Sequence, residues 1–335
     1  MHRHLIRTSH RPAALVACTL AASLAACGGG ADGTGASLDD STATAYAANA
    51  VLMASNASDS ADTAILTAQN VVGAGALAGL SSGDERVTAL AVPAAAKTQA
   101  CAGGGTATVS ITGGTPASQL NGKLDAGEVY GVVFAACKGA LGAAALDGAL
   151  SMNVVAASGD ASNGSISVTF TATQLKLTTA RGSATLDGTA SRDLSVSTDS
   201  DGVIHVAGHY TSPGLTLATN FNNRSSTFTV SALDIQRTAT LVGGVLQSSS
   251  ISGTHTLSAT LPNGSFSFTV ATTGSASYAA DGSPVAGSWT VTLPDTIVGV
   301  SVAVGTATIT IDRGKDGTID RTITITVPQL ASAAG

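Results

Sequence analysis

The chain has 335 residues, a formal net charge of −6 at pH 7, 11% charged residues and 3% aromatic residues. Gly, Ala, Ser and Thr are abundant, a composition typical of secreted β-proteins rather than of cytosolic enzymes. The sequence has no phosphate-binding loop, no dinucleotide fingerprint between a strand and a helix, no G-x-S-x-G elbow and no H-E-x-x-H helix. The common sequence signatures of enzymes are therefore absent.

The N-terminus has the pattern of an export signal. Residues 1–12 contain Arg3, Arg7 and Arg11 and no acidic residue, and residues 13–26 are uncharged and mainly apolar. As a helix, that run would span roughly 21 Å, well short of the roughly 30 Å hydrocarbon core of a bilayer. The pattern therefore predicts an exported chain and not an integral membrane protein.

The export signal ends in Leu24-Ala25-Ala26-Cys27, followed by Gly28. This stretch resembles the lipobox of bacterial lipoproteins. The resemblance covers residues 1–28 and implies that a diacylglyceryl group is attached to Cys27 and that signal peptidase II cleaves before it. Gly28, where an aspartate retention signal would stand, implies an outer-membrane anchor facing the periplasm or the cell surface. The alternative is an ordinary secretory signal, cleaved after an A-x-A-like site, with Cys27 incidental.

Residues 27–40 follow as the lipidated cysteine and a flexible glycine-rich linker. Cleavage after residue 26 removes three basic and no acidic side chains, and leaves 309 residues with 12 basic and 21 acidic ones, a net charge of −9. No basic stripe remains for nucleic acid. The expected partner is the membrane, through the lipid, and an envelope protein or an apolar ligand remains an open alternative.

Residues 41–100 are rich in alanine and predict a small helical hairpin with a connector to the next domain. Asp39, Asp40 or Ser41 can cap a first helix, and Ser58 or Asp59 a second. Apolar residues recur at helical spacing, and Gly73 and Gly75 end the pattern. The two predicted apolar faces are Tyr46, Ala50 and Met53, and Ala61, Ile65 and Ala68.

From residue 101 to 330 the apolar residues alternate with serine and threonine. Ile166, Val168 and Phe170 show this period of two, as do Phe266, Phe268 and Val270, and Ala307, Ile309 and Ile311. Turn signals separate the segments at Asn163-Gly164, Asp201-Gly202, Asn263-Gly264, Asp281-Gly282 and Asp316-Gly317. The prediction is a mainly β fold, a large curved antiparallel sheet or meander with the small N-terminal helical hairpin. Residues 331–335 form a tail, and a parallel β-helix is the alternative.

A faint repeat places a glycine shortly after an aliphatic residue in LDGALSM, LDGTASR, ISGTHTL and VAGSWTV. Glycine inside a strand marks a bulge or a bend, so Gly148, Gly188, Gly253 and Gly287 are predicted where the sheet curls. Trp289 alternates with Val291 and Leu293 and is expected in the core.

Cys101 and Cys137 are the two thiols that remain once Cys27 carries lipid, because Cys18 lies within the signal. An isolated pair in an exported chain is most simply one disulfide. Closing a loop of about 36 residues stabilises a fold by roughly 4 kcal/mol on the chain-entropy estimate. No C-x-x-C spacing points to a metal site or a redox pair.

The segment from CAGGG at Cys101 to the strands after Cys137, and the closing residues Asp312 to Leu330, resemble the β-rich domains of proteobacterial lipoproteins of unknown function. The resemblance implies a shape and a location only. The expected function is therefore an outer-membrane-anchored lipoprotein with a non-catalytic β-rich domain, in a binding or structural role. The alternatives are a carrier of an apolar ligand in a sheet concavity, a surface adhesin, and an enzyme.

Three groups of residues are candidates for chemistry. Asp312, Asp316 and Asp320 stand at positions 1, 5 and 9 of a calcium-type loop, but Gly314 and Ile323 replace two further ligands, so a plain hairpin turn is the alternative. No other cofactor is expected. A site assembled from distant strands would draw on Asp125, Glu128, His205, His209 and His255. His205 and His209 lie roughly 13 Å apart on one strand face, too far for one metal, and solvated histidines are expected.

Overall fold

The structure is a computed structural model of the whole chain. It describes residues 38–48, 50–51, 96–118, 124–138, 144–159, 163–180, 182–221, 224–243, 245–261, 264–279 and 283–333. The signal, Cys27 and the second predicted helix lie outside these residues.

The described strands form one sheet of fourteen, in which every strand pairs antiparallel with the strands before and after it in the chain. The first half comprises β1 (Lys97–Ala100), β2 (Thr106–Gly113), β3 (Glu128–Lys138), β4 (Ala144–Gly159), β5 (Gly164–Thr179), β6 (Gly182–Thr198) and β7 (Val203–Phe221). The second half comprises β8 (Arg224–Val242), β9 (Val245–Leu261), β10 (Gly264–Tyr278), β11 (Pro284–Thr292), β12 (Thr296–Ala303), β13 (Thr306–Arg313) and β14 (Arg321–Thr326). The predicted antiparallel meander is confirmed, and the parallel β-helix alternative is wrong.

The alternation of apolar and hydroxylated residues sets which side of each strand is buried. Ala307, Ile309 and Ile311 are all fully buried, and Val168, Phe268 and Val270 are buried on their own strands. Among the described turn signals, Asp201-Gly202 and Asp316-Gly317 lie between consecutive strands, and Gly164 and Gly264 are the first residues of β5 and β10. The period of two therefore located both the strands and their buried face.

Helix α1 comprises residues 40–48 and 50–51 as described. Asp39 is its N-cap, because its Oδ1 accepts a hydrogen bond of 2.7 Å from the Thr42 backbone N–H. That bond, with a second from the Ser41 hydroxyl, lowers the pKa of Asp39. Tyr46 and Ala50 are buried as predicted. Met53 and the second helical face at Ala61, Ile65 and Ala68 lie outside the described residues.

A second helix, α2 (Val327–Ala333), follows β14 directly. A capping box forms its start: the Thr326 N–H donates to Gln329 Oε1 at 2.9 Å, and the Gln329 N–H donates to Thr326 Oγ1 at 3.4 Å. Leu330 anchors α2 in the core. The sheet therefore begins at Lys97, four residues before the predicted boundary at 101, and α2 ends at Ala333, within the residues predicted as a tail.

The repeat glycines lie where the pairing register shifts, as predicted. Gly148, Gly188, Gly253 and Gly287 all have positive φ. A Cβ at Gly148 would overlap the Gln174 carbonyl oxygen of the neighbouring strand. Each β-bulge adds a residue to one strand and increases the local bend of the sheet.

The aspartate that precedes two of these glycines has its own structural role. Asp147 Oδ1 accepts a 2.7 Å hydrogen bond from the N–H of Ala136, and Asp187 Oδ1 accepts one of the same length from the N–H of Gln174. Ala136 and Gln174 have positive φ and lie at bulges, where the ladder is interrupted. In each L-D-G triplet the aspartate therefore supplies an acceptor to the bulge on the preceding strand, and the glycine leaves space for the backbone of the following strand.

Buried side chains form three clusters. The largest, the main core, joins α1 and α2 to β7–β13, and includes Trp289, which is 1% exposed as predicted. Two smaller clusters join β2 to β5. None of the three clusters contains a residue of β6, all of which is described.

Cys101 and Cys137 are a disulfide pair, with Cα atoms 5.4 Å apart. The glycines after Cys101 bring the chain to the end of β3: Gly103 N–H donates to the Lys138 carbonyl, and Lys138 N–H donates to the Gly104 carbonyl, each at 2.9 Å. The disulfide predicted from the isolated pair is confirmed.

Candidate functional site

The middle strands, β5 to β8, present two faces of different chemistry. We call the side that carries Val168, Leu194, Tyr210 and Ile235 the apolar face, and the opposite side the polar face. Successive side chains along each strand point alternately to the apolar and the polar face. The pairing of residues between neighbouring strands makes each face continuous from β5 to β8. The polar face carries pairs of hydroxyl groups on adjacent strands: Thr169 with Ser191, Thr171 with Thr189, and Thr216 with Thr229.

His209 is the centre of a charged group on the polar face. Its Nε2 lies 2.8 Å from Asp234 Oδ1 on β8, and its Nδ1 lies 3.8 Å from Asp193 Oδ2 on β6. His209 and Asp193 border a shallow groove of about 370 Å³, together with Ser167 and Gln236. The groove offers hydrogen-bond donors and acceptors to a polar partner.

The apolar face carries the arginines of this region. Arg192 lies over the ring of Tyr210, 5.5 Å from its centroid, which is a cation–π contact. Arg192 on β6 is paired with Tyr210 on β7, and Arg237 on β8 is paired with Gly208, two residues earlier on β7. The two arginines are therefore diagonal to each other on the same face. The middle of the sheet is therefore polarised, with arginine and apolar side chains on one face and Asp193 and Asp234 on the other.

Helix α1 packs in the main core that it shares with β7–β13. Val51, the last described residue of α1, accepts a 3.0 Å hydrogen bond from the Tyr278 hydroxyl through its carbonyl. Burial raises the pKa of that tyrosine. Tyr46 packs edge-on against Phe268, with ring centroids 5.3 Å apart. The concavity at this end of the sheet is thus filled by the protein's own side chains.

Glu128 is fully buried at the start of β3. Its Oε2 accepts hydrogen bonds from the Tyr130 hydroxyl at 2.6 Å and from the Asp125 N–H at 3.0 Å. Burial, and then the bond to Glu128, raise the pKa of Tyr130. Oε1 has no hydrogen-bond partner among the described residues. The predicted proximity of Asp125 and Glu128 is confirmed, and their contact closes the hairpin between β2 and β3.

The three candidate histidines, His205, His209 and His255, do not come together. His205 and His209 are on the polar face of β7, with side chains 52% and 39% exposed, and His205 Nε2 lies 3.3 Å from Asp199. His255 is 3% exposed in the apolar side of β9, opposite a bulge in β8, and burial lowers its pKa to about 4. The expectation of solvated histidines is wrong for His255, because alternation places it in line with Leu257 and Ala259.

The Asp312 loop is a hydrogen-bonded turn. Asp312 accepts from the N–H groups of Asp316 and Gly317, at 3.2 and 3.0 Å, and Asp320 accepts from the N–H of Arg313 at 2.6 Å. No group of three or more His, Cys, Asp or Glu in the described part of the chain could hold a metal ion. These contacts favour the hairpin-turn alternative, and calcium binding stays a prediction.

Sequence reasoning missed Asp147, Asp187, Arg192 and Arg237. The aspartates had a signal in the repeated L-D-G triplet, and Arg192 had one in its alternation with Leu194 and Val196.

Comparisons with protein-family models, with curated proteins and with solved structures found no match to this chain. In the described residues, no helix has the length and apolar character needed to span a bilayer. Any functional conclusion therefore depends on the residues themselves.

Proposed function

We propose that this chain is an outer-membrane lipoprotein, moored through a lipidated Cys27, whose β-rich domain has a non-catalytic binding or structural role in the cell envelope. The observation that carries the proposal is the sequence Leu24 to Cys27 at the end of a basic and then apolar leader. A doubly acylated cysteine gives stable membrane attachment without a spanning segment.

Two features of the described domain support this proposal. The disulfide of Cys101 and Cys137 suits an oxidising compartment such as the periplasm. The residues considered for acid–base chemistry lie on β3 and just before it, on β7 and on β9, and among them Asp125 is in contact with Glu128. The filling of one end of the concavity by α1 favours a protein partner, or a structural role, over a wholly enclosed ligand.

The test is replacement of Cys27 by serine in the exported chain, followed by separation of inner and outer membranes. We expect the variant to leave the outer-membrane fraction, and mass spectrometry of the wild-type N-terminus to show acylated Cys27. Cys18→Ser is the matched control and keeps the attachment. Retention of Cys27→Ser in the outer membrane would overturn the proposed mooring.

Carriage of an apolar ligand is the second candidate, and one observation favours it. Half-buried Leu186, Leu194 and Val196 line the apolar face of β6 but belong to none of the three clusters. Native mass spectrometry of the protein purified from the envelope tests this candidate. A bound apolar molecule of defined mass supports it, and a ligand-free protein rejects it.

A further inference from the structure

Glu128, at the start of β3, is a buried carboxylate of which one oxygen is bound and the other is not. Its side chain is fully buried, and Oε2 accepts the hydrogen bonds from the Tyr130 hydroxyl and the Asp125 N–H. Oε1 is also buried and has no hydrogen-bond partner among the described residues. The ion pairs between described residues do not include Glu128. A buried carboxylate oxygen with neither a donor nor a counter-charge destabilises a fold.

Protonation of Glu128 does not remove this cost. Tyr130 and Asp125 both donate to Oε2, so the proton of a neutral carboxyl would lie on Oε1, where the described residues offer no hydrogen-bond partner. A water molecule would bring a donor to Oε1 but no charge. A cation supplies both a partner for Oε1 and the positive charge that a buried carboxylate requires.

A second carboxylate lies at the same turn. The Glu128 N–H donates to the Asp125 carbonyl at 3.2 Å, which closes the turn from Asp125 to Glu128. Burial raises the pKa of Tyr130 most, and the bond to Glu128 and the negative charges of Glu128 and Asp125 raise it further. The charge of Asp125 therefore acts on the same hydroxyl that Glu128 binds. Two like charges that converge in this way favour a cation beside them.

Glu128 Oε1 is directed toward the loop that joins β2 to β3. A Cβ on Gly114 would lie 3.5 Å from Oε1, 2.9 Å from Glu128 Cγ and 2.7 Å from Ser118 Oγ. The absence of a side chain at Gly114 therefore keeps this side of the carboxylate clear. The space next to Oε1 is bordered by the described beginning of the loop and by the turn that starts at Asp125.

The sequence of this loop independently indicates calcium. Residues 121–128 read N-G-K-L-D-A-G-E, which matches the second half of the calcium-loop pattern, [DN]-G-x5-E. In that pattern position 12 is a bidentate glutamate, here Glu128, and Asp125 stands at position 9. Positions 1 and 3 are Ala117 and Gln119, neither of which is a carboxylate. The match is one of sequence, because residues 119–123 lie outside the described part of the chain.

We propose that the carboxylates of Asp125 and Glu128 bind a calcium ion in the loop between β2 and β3. Two carboxylates are fewer than the group of three that a dedicated metal cluster has, and calcium completes its shell with backbone carbonyls and water. Because two carboxylate positions are missing, the expected dissociation constant is about 0.1–1 mM, the range of extracellular calcium modules.

The Asp312 loop has the opposite half of the same pattern. It has the aspartate at position 1, but Ile323 stands at position 12, and its carboxylates already accept hydrogen bonds from backbone N–H groups of their own turn. Glu128 has an open, buried oxygen, and the Asp312 turn has none among the described residues. The Asp312 loop therefore serves as the internal comparison.

The first test uses terbium(III), which replaces calcium at oxygen sites and emits when an excited tyrosine lies beside it. The Tyr130 hydroxyl is 2.6 Å from Glu128 Oε2, so an ion at this site has a tyrosine next to it. Purified lipoprotein in detergent should show tyrosine-sensitised emission that calcium chloride displaces. Tyr130→Phe should lose most of the emission, although Tyr210 and Tyr278 remain.

Substitution of the ligands tests the site directly. Glu128→Gln keeps the shape and the acceptor at Oε2 but replaces Oε1 by an amide NH2, and should weaken binding roughly 10-fold or more. Asp316→Asn in the Asp312 loop is the matched control and should bind like the wild type. Circular dichroism identifies a Glu128→Gln protein that has failed to fold, and half-buried Asp125→Asn, which should also weaken binding, then decides.

Thermal unfolding gives a measurement that needs no terbium. An ion that binds the folded state raises the unfolding midpoint, so 10 mM calcium chloride should raise it by about 2–4 °C relative to a chelator. Magnesium chloride at the same concentration should raise it less, because magnesium requires a more regular shell. The calcium shift should shrink in Asp125→Asn and persist in Asp316→Asn.

Three outcomes overturn the proposal. The first is a wild-type protein without calcium-displaceable emission and without a calcium-dependent midpoint. The second is unchanged binding by folded Glu128→Gln and Asp125→Asn, and the third is loss of binding in Asp316→Asn alone, which would place the ion in the Asp312 loop. None of them affects the lipid anchor, which the Cys27→Ser fractionation tests separately.

Discussion

Strands β13 and β6 are both paired with neighbouring strands along their length, but their side chains have different surroundings. Ala307, Ile309 and Ile311 of β13 are all fully buried in the main core. On β6, Ala184 is the one buried apolar residue, and the rest are half-buried or exposed. One region is therefore held by packing and by hydrogen bonds, and the other mainly by its hydrogen bonds to β5 and β7.

This difference suggests a division of roles. The main core, with α1 and α2, gives the sheet a rigid end, and β6 lies between that end and the smaller clusters on β2 to β5. On β6 the apolar side chains of Leu186, Leu194 and Val196 are half-buried, and Asp193 is exposed. Surfaces with few buried contacts are where proteins open locally and bind partners.

The largest expected contrast comes from removing equal side chains from the two regions. Ile309→Ala should lower the free energy of unfolding by about 2–5 kcal/mol, because it leaves a cavity in a closely packed core. Leu194→Ala on β6 should cost about 1 kcal/mol, because that side chain is half-buried. Urea denaturation of both variants measures the contrast, and equal losses would contradict the division.

The next effect is a pH dependence that arises in the main core. His255 has a pKa of about 4 in the folded protein, against 6.5 for an unperturbed histidine. Between these values the unfolded state binds more protons, so the contribution of His255 to stability falls as the pH is lowered from 6.5 to 4 and is constant below that. The total loss is about 3 kcal/mol.

Chemical denaturation at several pH values tests this, with His205→Asn as the exposed control. His255→Leu should abolish the pH dependence between 6.5 and about 4.5, and His205→Asn should leave it unchanged. An unaltered pH profile in His255→Leu would show that another group is responsible.

A smaller effect is expected from the bulge in β6. Gly188 has φ of 126°, and a Cβ there would overlap the Gly214 carbonyl oxygen. Gly188→Ala should cost about 2 kcal/mol. Gly214 has open space around its Cβ position, so Gly214→Ala should stay within about 1 kcal/mol of the wild type. Thermal unfolding of the pair decides whether the bulge is required.

The smallest effect concerns the cap of α1. Asp39→Ala removes the acceptor for the Thr42 N–H and should cost about 1 kcal/mol. Asp40 forms an exposed ion pair with Arg321 at 2.8 Å, and such pairs contribute little. Asp40→Ala should therefore be nearly neutral in the same denaturation experiment. The reverse order would mean that the ion pair, not the cap, holds α1 on the sheet.

The sequence predicted much of this fold, because alternation and turn chemistry are local. The strand around Ile309, the turn at Asp201-Gly202, the bulge at Gly148 and the buried Trp289 all follow from residues within a few positions of each other. The disulfide followed from the number of cysteines and the predicted export.

The features that the sequence did not predict depend on contacts between distant parts of the chain. The burial of Tyr46 and Val51 against Phe268 and Tyr278 joins α1 to strands more than 200 residues later, and small alanine faces do not specify a partner. A bulge such as the one at Ala232 inserts one residue, so that odd- and even-numbered residues exchange faces after it. The face of Arg237 therefore cannot be read from residues before the bulge, and the polarisation of the middle strands appears only with the register.

Hydrogen exchange of the whole chain, resolved by strand, tests the central claim most directly. We expect amides of β6 to exchange through openings of lower free energy than amides of β11 to β13, which should exchange only on global unfolding. Equal protection of β6 and β13 would contradict the account, because the sheet would then open as a single cooperative unit.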